Sequence, residues 1–135
     1  MINRRVILDT NLWISFLISN RQQELDLFLN SGVVTLIFSV ELLEEFLEVA
    51  NRPKFKRFFK KSDIEGLLGQ IQNFGELIIV ESKVEKCRDE KDNFLLSLSV
   101  DGKADFLITG DSDLLVLSKI EQTQILTWSD FISKY

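Results

Sequence analysis

Histidine is absent from these 135 residues, and cysteine, proline, methionine and tyrosine each occur once. Without imidazole there is no serine–histidine nucleophile, no histidine-held zinc and no histidine acid–base chemistry. With Cys87 alone there is neither a disulfide framework nor a thiolate zinc site. Pro53 is the single proline, and no Gly/Ser-rich linker, low-complexity tract or repeat interrupts the chain. No apolar run reaches the ~18 residues needed to span a bilayer. Met1 to Arg5 leads straight into a strand-like run rather than a signal peptide, so a cytoplasmic protein with no membrane partner is expected. Net positive charge is missing as well. At −5 the chain does not coat nucleic acid by bulk electrostatics, although a bound cation can supply positive charge locally. Any catalysis therefore rests on carboxylates, lysine, hydroxyls or a metal held by oxygen.

What is present reads as one globular domain over residues 1–135, with 45% hydrophobic and 27% charged residues. A chain of this size buries roughly two-thirds of its unfolded surface and needs no staple. Short apolar runs occur at Val6–Leu8, Val33–Phe38, Leu77–Val80, Phe106–Ile108 and Ile125–Leu126, separated by segments of 3.6-residue periodicity. Strands apolar on both faces and alternating with helices predict an α/β fold with a central, mainly parallel sheet of four to five strands. Leu12 to Leu29 is mostly helical with a polar interruption at Asn20–Glu24. Ser39 caps a helix carrying Leu42, Leu43, Phe46, Leu47 and Ala50. Ser62 and Glu65 form a capping box ahead of Ile64, Leu67, Leu68, Ile71 and Phe74. A helix from about Asn93 carries Phe94, Leu95 and Leu98 and stops at Gly102.

Two of the apolar runs deliver acids. VILDTNLWI (6–14) ends its strand at Asp9, and FLITGDSDLL (106–115) places Asp111 and Asp113 beyond Thr109. Open parallel sheets bind ligands beyond the carboxyl ends of their strands, so three carboxylates converge if the two strands are neighbours. Taken singly, Asp-Thr-Asn is also a good helix N-cap and Gly-Asp-Ser-Asp a good turn. RDEKDNFLL (88–96) adds Asp89 and Asp92 at the start of the helix that feeds the second strand, where acids also suit the helix dipole. On the helix after Ser39, Glu45 lies nearest the stripe of Leu42, Phe46 and Ala50, whereas Glu41, Glu44 and Glu48 point outward. Asp105 begins the strand that ends at Thr109, about 13 Å away at ~3.3 Å per residue, and belongs to the opposite rim. Arg4 and Arg5 sit there too. Two carboxylates ~4 Å apart repel by roughly 4 kcal/mol at an effective dielectric of 20. A hard divalent cation with all-oxygen ligation, Mg²⁺ or Mn²⁺, relieves that repulsion, and a metal-activated water attacking a phosphodiester is the simplest chemistry available.

With VILDTNLWIS, SVELLEEFLEVANRPKF and RDEKDNFLLSLSVDGKADFLITGDSDLL in that order, the chain resembles the PIN-domain family. Within it, the resemblance is to the bacterial toxin components of type II toxin–antitoxin systems, the VapC-type ribonucleases. It implies a three-layer α/β/α fold and dependence on one or two Mg²⁺ or Mn²⁺ ions. It also implies cleavage of single-stranded RNA, inhibition by a small antitoxin protein and frequent homodimers. Carried over by position, the family's acids are Asp9, Glu45, Asp92 and Asp111, with Asp113 as an auxiliary ligand and Asn11 and Thr109 as supports of the pocket. Ser97 and Ser99 stand where this branch often has alanine, and Trp128 where it often has proline.

NRPKFKRFFKKSD (51–63) gathers Arg52, Lys54, Lys56, Arg57, Lys60 and Lys61 around Phe55, Phe58 and Phe59. The phenylalanines, spaced i, i+3, i+4, read as a core-facing stripe, and the first four basic residues as candidate RNA contacts. Two rival readings stay open. A receiver-like phosphotransfer module also clusters aspartates with Mg²⁺ at a sheet rim, but it wants adjacent acids after its first strand and a lone Asp after its middle one. A structure-specific DNA nuclease uses similar acids, and would need clamp regions beyond a compact domain.

Overall fold

The computed structural model describes residues 3–19, 21–32 and 34–134. Within them the chain alternates β1 (Arg4–Leu8), α1 (Thr10–Ile18), α2 (Gln22–Asn30), β2 (Val34–Phe38), α3 (Val40–Ala50), α4 (Lys61–Phe74), β3 (Gly75–Leu77), α5 (Asn93–Asp101), β4 (Phe106–Ile108), α6 (Ser112–Leu115), β5 (Lys119–Ile120), β6 (Thr123–Leu126) and α7 (Trp128–Lys134). Short 3₁₀ turns at Pro53–Phe55 and Glu90–Asp92 precede α4 and α5. Val33 and Asn20, the first residues of one expected strand and of the expected helix break, lie outside the described residues, as do Met1 and Ile2.

The six strands form one sheet in the order β3-β2-β1-β4-β6-β5. All neighbours are parallel except the β5–β6 pair. β1 sits between β2 and β4, with Val6 opposite Leu36 on one side and Ile7 opposite Leu107 on the other. Covered on both faces, it is apolar on both faces: Val6, Ile7 and Leu8 are fully buried, as are Leu107 and Ile108 beside them. The β1→β2 and β2→β3 crossovers run one way along the sheet and β3→β4 runs back. With right-handed crossovers, α5 therefore covers the face opposite α1 to α4.

Three local expectations are corrected. The sheet has six described strands rather than four or five, because Lys119–Ile120 folds back on β6 through a two-residue turn with Glu121 at φ 49°. No glycine marks that turn. The third strand lies earlier than Leu77–Val80: β3 ends at Leu77, and Ile78 adds one more bond, its N–H donating to the Phe38 carbonyl at 2.8 Å. Beyond it the Asp101 carboxylate accepts from the Glu81 and Ser82 amides and the Ser82 hydroxyl, drawing the chain off the sheet. Finally, α4 starts at Lys61, and it is Asp63 that accepts from the Lys60 amide at 2.8 Å, not a Ser62–Glu65 box. Ser39 does cap α3, accepting from the Leu42 amide at 3.2 Å.

The two serines and the tryptophan that depart from the family pattern all have partners. The Ser97 hydroxyl accepts from the Val84 amide, and Ser99 donates to the Leu95 carbonyl. Trp128 packs edge-on to Phe16 and Phe28 and donates its indole N–H to Glu24 at 2.9 Å.

Candidate active site

The β1–β4 register decides the site. Leu8 pairs with Ile108, so the residues that follow, Asp9 and Thr109, leave the sheet side by side at its carboxyl rim. The Asp9 amide donates to the Ile108 carbonyl at 3.0 Å. Asp9 is the N-cap residue of α1 and is 5% exposed. Its Oδ2 accepts a 2.7 Å hydrogen bond from the Thr109 hydroxyl, whose oxygen in turn accepts from the Asp111 amide at 3.0 Å. Asp111 caps α6, its Oδ1 accepting from the Asp113 amide at 2.8 Å. A buried threonine thus ties the acids of two motifs a hundred residues apart.

Electrostatics show which acids face one another. Burial pushes the Asp9 carboxyl above its ordinary range; the Thr109 bond and the nearby amides of Asn11 and Thr10 oppose this, and the Asp111 charge adds to it. Glu45 is raised by desolvation and by the Asp9 charge. Thr10 beside it offsets part of the rise, yet Thr10 Oγ1 and Glu45 Oε2 are buried without a hydrogen-bond partner among the described residues. Asp92 is pushed up to about 7, by desolvation first and then by sharing a hydrogen bond with Asp111, whose charge adds further. Like charge facing a half-buried carboxyl disfavours its ionised form, and a cation placed between would favour it. Asp92 Oδ2 is also buried without a hydrogen-bond partner among the described residues.

The acids therefore form a connected set: Glu45 faces Asp9, Asp9 faces Asp111 and Asp92, and Asp92 meets Asp111. Asp113 stands at the edge, its Oδ1 3.7 Å from the Arg88 guanidinium. Asp89 accepts from the Lys91 amide and contributes charge to Asp92. Among the described residues no three Asp, Glu, Cys or His side chains enclose an ion as they stand. The donors nonetheless suit a hard cation. Orphaned carboxylate oxygens on Glu45 and Asp92 point to a missing positive charge, and Mg²⁺ keeps several waters while binding only one or two carboxylates directly.

Other expected residues fall elsewhere. Asn11 is exposed, and its contribution to Asp9 comes from its backbone amide. Of the basic segment, Arg52 is paired with Glu48 at 2.9 Å, Lys54 lies over its neighbour Phe55, Arg57 lies over Phe58, and Lys56 is exposed. The phenylalanine stripe is only partly in the core: Phe59 is buried and Phe55 half-buried, but Phe58 is 44% exposed because the chain turns in short 3₁₀ and hydrogen-bonded bends there instead of a full helix. At the opposite rim, Asp105 accepts from the Arg5 amide, and Arg5 forks onto Glu76. Two participants were not singled out from the sequence. Thr10 lies inside the first motif, and Arg88 opens the third; only the fold shows what each one faces.

Comparison with known proteins places the chain in a family. A family model described as PIN domain matches residues 5–113, and the chain belongs to that family. PIN domains are generally nucleases. Among solved structures, VapBC2 from Rickettsia felis, bound there to a DNA fragment from its promoter, superposes with a TM-score of 0.59 at 16% identity, over 92% of this chain and 98% of that one. The PIN domain of human SMG5 superposes with a TM-score of 0.53 at 10% identity, over 96% and 97%. At these identities the likeness is one of fold. No curated protein sequence matches the chain significantly.

Proposed function

We propose that this PIN-domain protein is a metal-dependent endoribonuclease that cuts single-stranded RNA and serves as the toxin of a toxin–antitoxin pair. The observation that carries the nuclease reading is the Asp9–Thr109–Asp111 linkage, with Glu45 and Asp92 turned toward it and left short of positive charge. Asp9, Asp92 and Asp111 would hold Mg²⁺ or Mn²⁺, with Glu45 and Asp113 binding directly or through water. Such an ion, when bound, supplies charge for phosphate oxygens and a water of lowered pKa. The chain's own part is to orient the carboxylates at one rim. Thr109 fixes Asp9 through its hydroxyl, and the α6 cap fixes Asp111.

The toxin role and the small antitoxin partner rest on the three sequence blocks shared with the VapC-type branch and on the shared fold with VapBC2. Family membership favours hydrolysis over receiver-like phosphotransfer. No described helix is long and apolar enough to cross a membrane, consistent with a cytoplasmic site of action. The test is cleavage of single-stranded RNA, single-stranded DNA and duplex DNA with Mg²⁺, Mn²⁺ or EDTA. Cutting of RNA alone, abolished by EDTA, is expected; preferential cutting of DNA would overturn the substrate assignment. If a small reading frame adjoins this gene, co-expression of its product should suppress that activity and co-purify a complex.

A further inference from the structure

Two cavities meet at Arg88, one of them bordered by Asp113. The larger, about 630 Å³, runs between the start of α3 and α5, lined by Ser39, Lys83, Asn93, Phe94 and Ser97 among others. Its size falls within the roughly 300–1,000 Å³ of small-ligand sites. The smaller, about 470 Å³, is bounded by Asp113 and by the loop from Arg88 to Lys91. Arg88 and Glu90 line both. The larger cavity abuts the acids through Asn93, which follows Asp92, and through Cys87, whose thiol donates toward the Asp113 carbonyl at 3.7 Å.

Arg88 differs from the arginines of the 51–63 segment. Its side chain is 89% exposed and makes a loose 3.7 Å ion pair to Asp113 through Nε. By contrast Arg52 is forked onto Glu48, and Arg57 lies over Phe58. The planar guanidinium of an arginine can donate two parallel hydrogen bonds to two oxygens of one tetrahedral phosphate, and Arg88 offers such a fork where the two cavities meet. The Asn93 side chain spends its carbonyl on the Cys87 amide at 2.9 Å, which leaves its NH₂ for a base edge.

We infer that Arg88 is a positioning residue that grips the phosphate adjoining the scissile one, and that the groove between α3 and α5 takes the base of that nucleotide. This deepens the ribonuclease reading and rests on it. It also moves the RNA path away from the Arg52–Arg57 segment, whose cations are largely engaged within the chain.

The test uses the full chain. In an Asp9→Asn background, binding of a single-stranded RNA oligonucleotide is followed by fluorescence anisotropy against salt. Arg88→Ala should weaken binding about ten-fold, as loss of a charge-assisted contact does. It should also flatten the salt slope by about 0.7, the value of one phosphate contact on a single strand. Arg88→Lys should restore most of the slope, and Lys119→Ala, which lines neither cavity, should change neither. With Asp9 intact, Arg88→Ala should raise KM more than it lowers kcat, and Phe94→Leu should alter the base preference at the cut ends. Unchanged binding and salt slope in Arg88→Ala overturn the inference even if the wild type cleaves RNA. A wild type that binds RNA through Arg88 yet cuts none overturns the ribonuclease reading instead. No RNA binding at all overturns both.

Discussion

Thr109 donates its hydroxyl to Asp9 at 2.7 Å across two strands that are adjacent in the sheet but a hundred residues apart in the chain. The same oxygen accepts from the Asp111 amide, so one buried side chain aligns two acids. Thr109→Val keeps the shape and removes the hydroxyl. It should cost about 1–3 kcal/mol in denaturant unfolding, because the buried Asp9 carboxylate loses a donor. Cleavage should drop at least ten-fold, and Thr109→Ser should recover most of both. A valine variant as active and as stable as the parent would mean that the linkage does not matter.

Asp9→Asn should abolish cleavage while the protein stays folded. Burial and the facing acids disfavour the Asp9 charge, so a neutral isostere relieves repulsion rather than creating it. A thermal midpoint equal to or above that of the parent, with no product on a gel, is the expected pair of results.

Metal-free stability should fall as pH rises from about 4 to about 7. Asp92 gives up its proton near 4 when unfolded and at about 7 when folded. Within that window the folded state binds more protons, so stability is fully present below the lower value and is lost as pH passes the upper one. Glu45 and Asp9 are raised in the same direction. Asp92→Asn should flatten the slope, as read by thermal melts across the pH series.

At pH 7.5, Mg²⁺ or Mn²⁺ should raise the melting temperature in a concentration-dependent way, since a ligand that binds only the native state stabilises by mass action. The increment should shrink in Asp111→Asn and vanish when EDTA is added. An equal shift with a monovalent salt at matched ionic strength would reduce the effect to screening.

Gly75 separates stability from chemistry. A β-carbon there would collide with the Ile71 carbonyl and the Phe38 ring, where α4 hands over directly to β3. Gly75→Ala should therefore destabilise by about 1–3 kcal/mol through overpacking. At temperatures where it remains folded, its kcat should match the parent's.

Some of this was legible without coordinates, for identifiable reasons. Val6–Leu8 and Phe106–Ile108 read as buried strands because both of their faces are covered, and a period-free apolar run has few other meanings. Glu45 stood out from Glu41, Glu44 and Glu48 because an 11-residue helix fixes the angle between each residue and the apolar stripe. The β5 hairpin was invisible, since Glu121 adopts a left-handed conformation with no glycine to announce it. The 51–63 segment misled because i, i+3, i+4 spacing implies a core stripe only where a helix continues, and here Pro53 begins a short 3₁₀ turn.

Residue type and chain order by themselves excluded histidine and thiolate-cluster chemistry, made the sheet chiefly parallel, and put Asp9 and Asp111 just beyond the ends of two strands. These follow from local covalent facts: no imidazole, one thiol, and apolar runs too short for helices. Strand order was decided only in three dimensions. That β4 lies beside β1, so that Thr109 reaches Asp9 and Asp92 meets Asp111, depends on long-range pairing that no spacing along the chain encodes. The raised carboxyl pKa values come from the same source, because proximity and burial are properties of the assembled rim and not of any one motif.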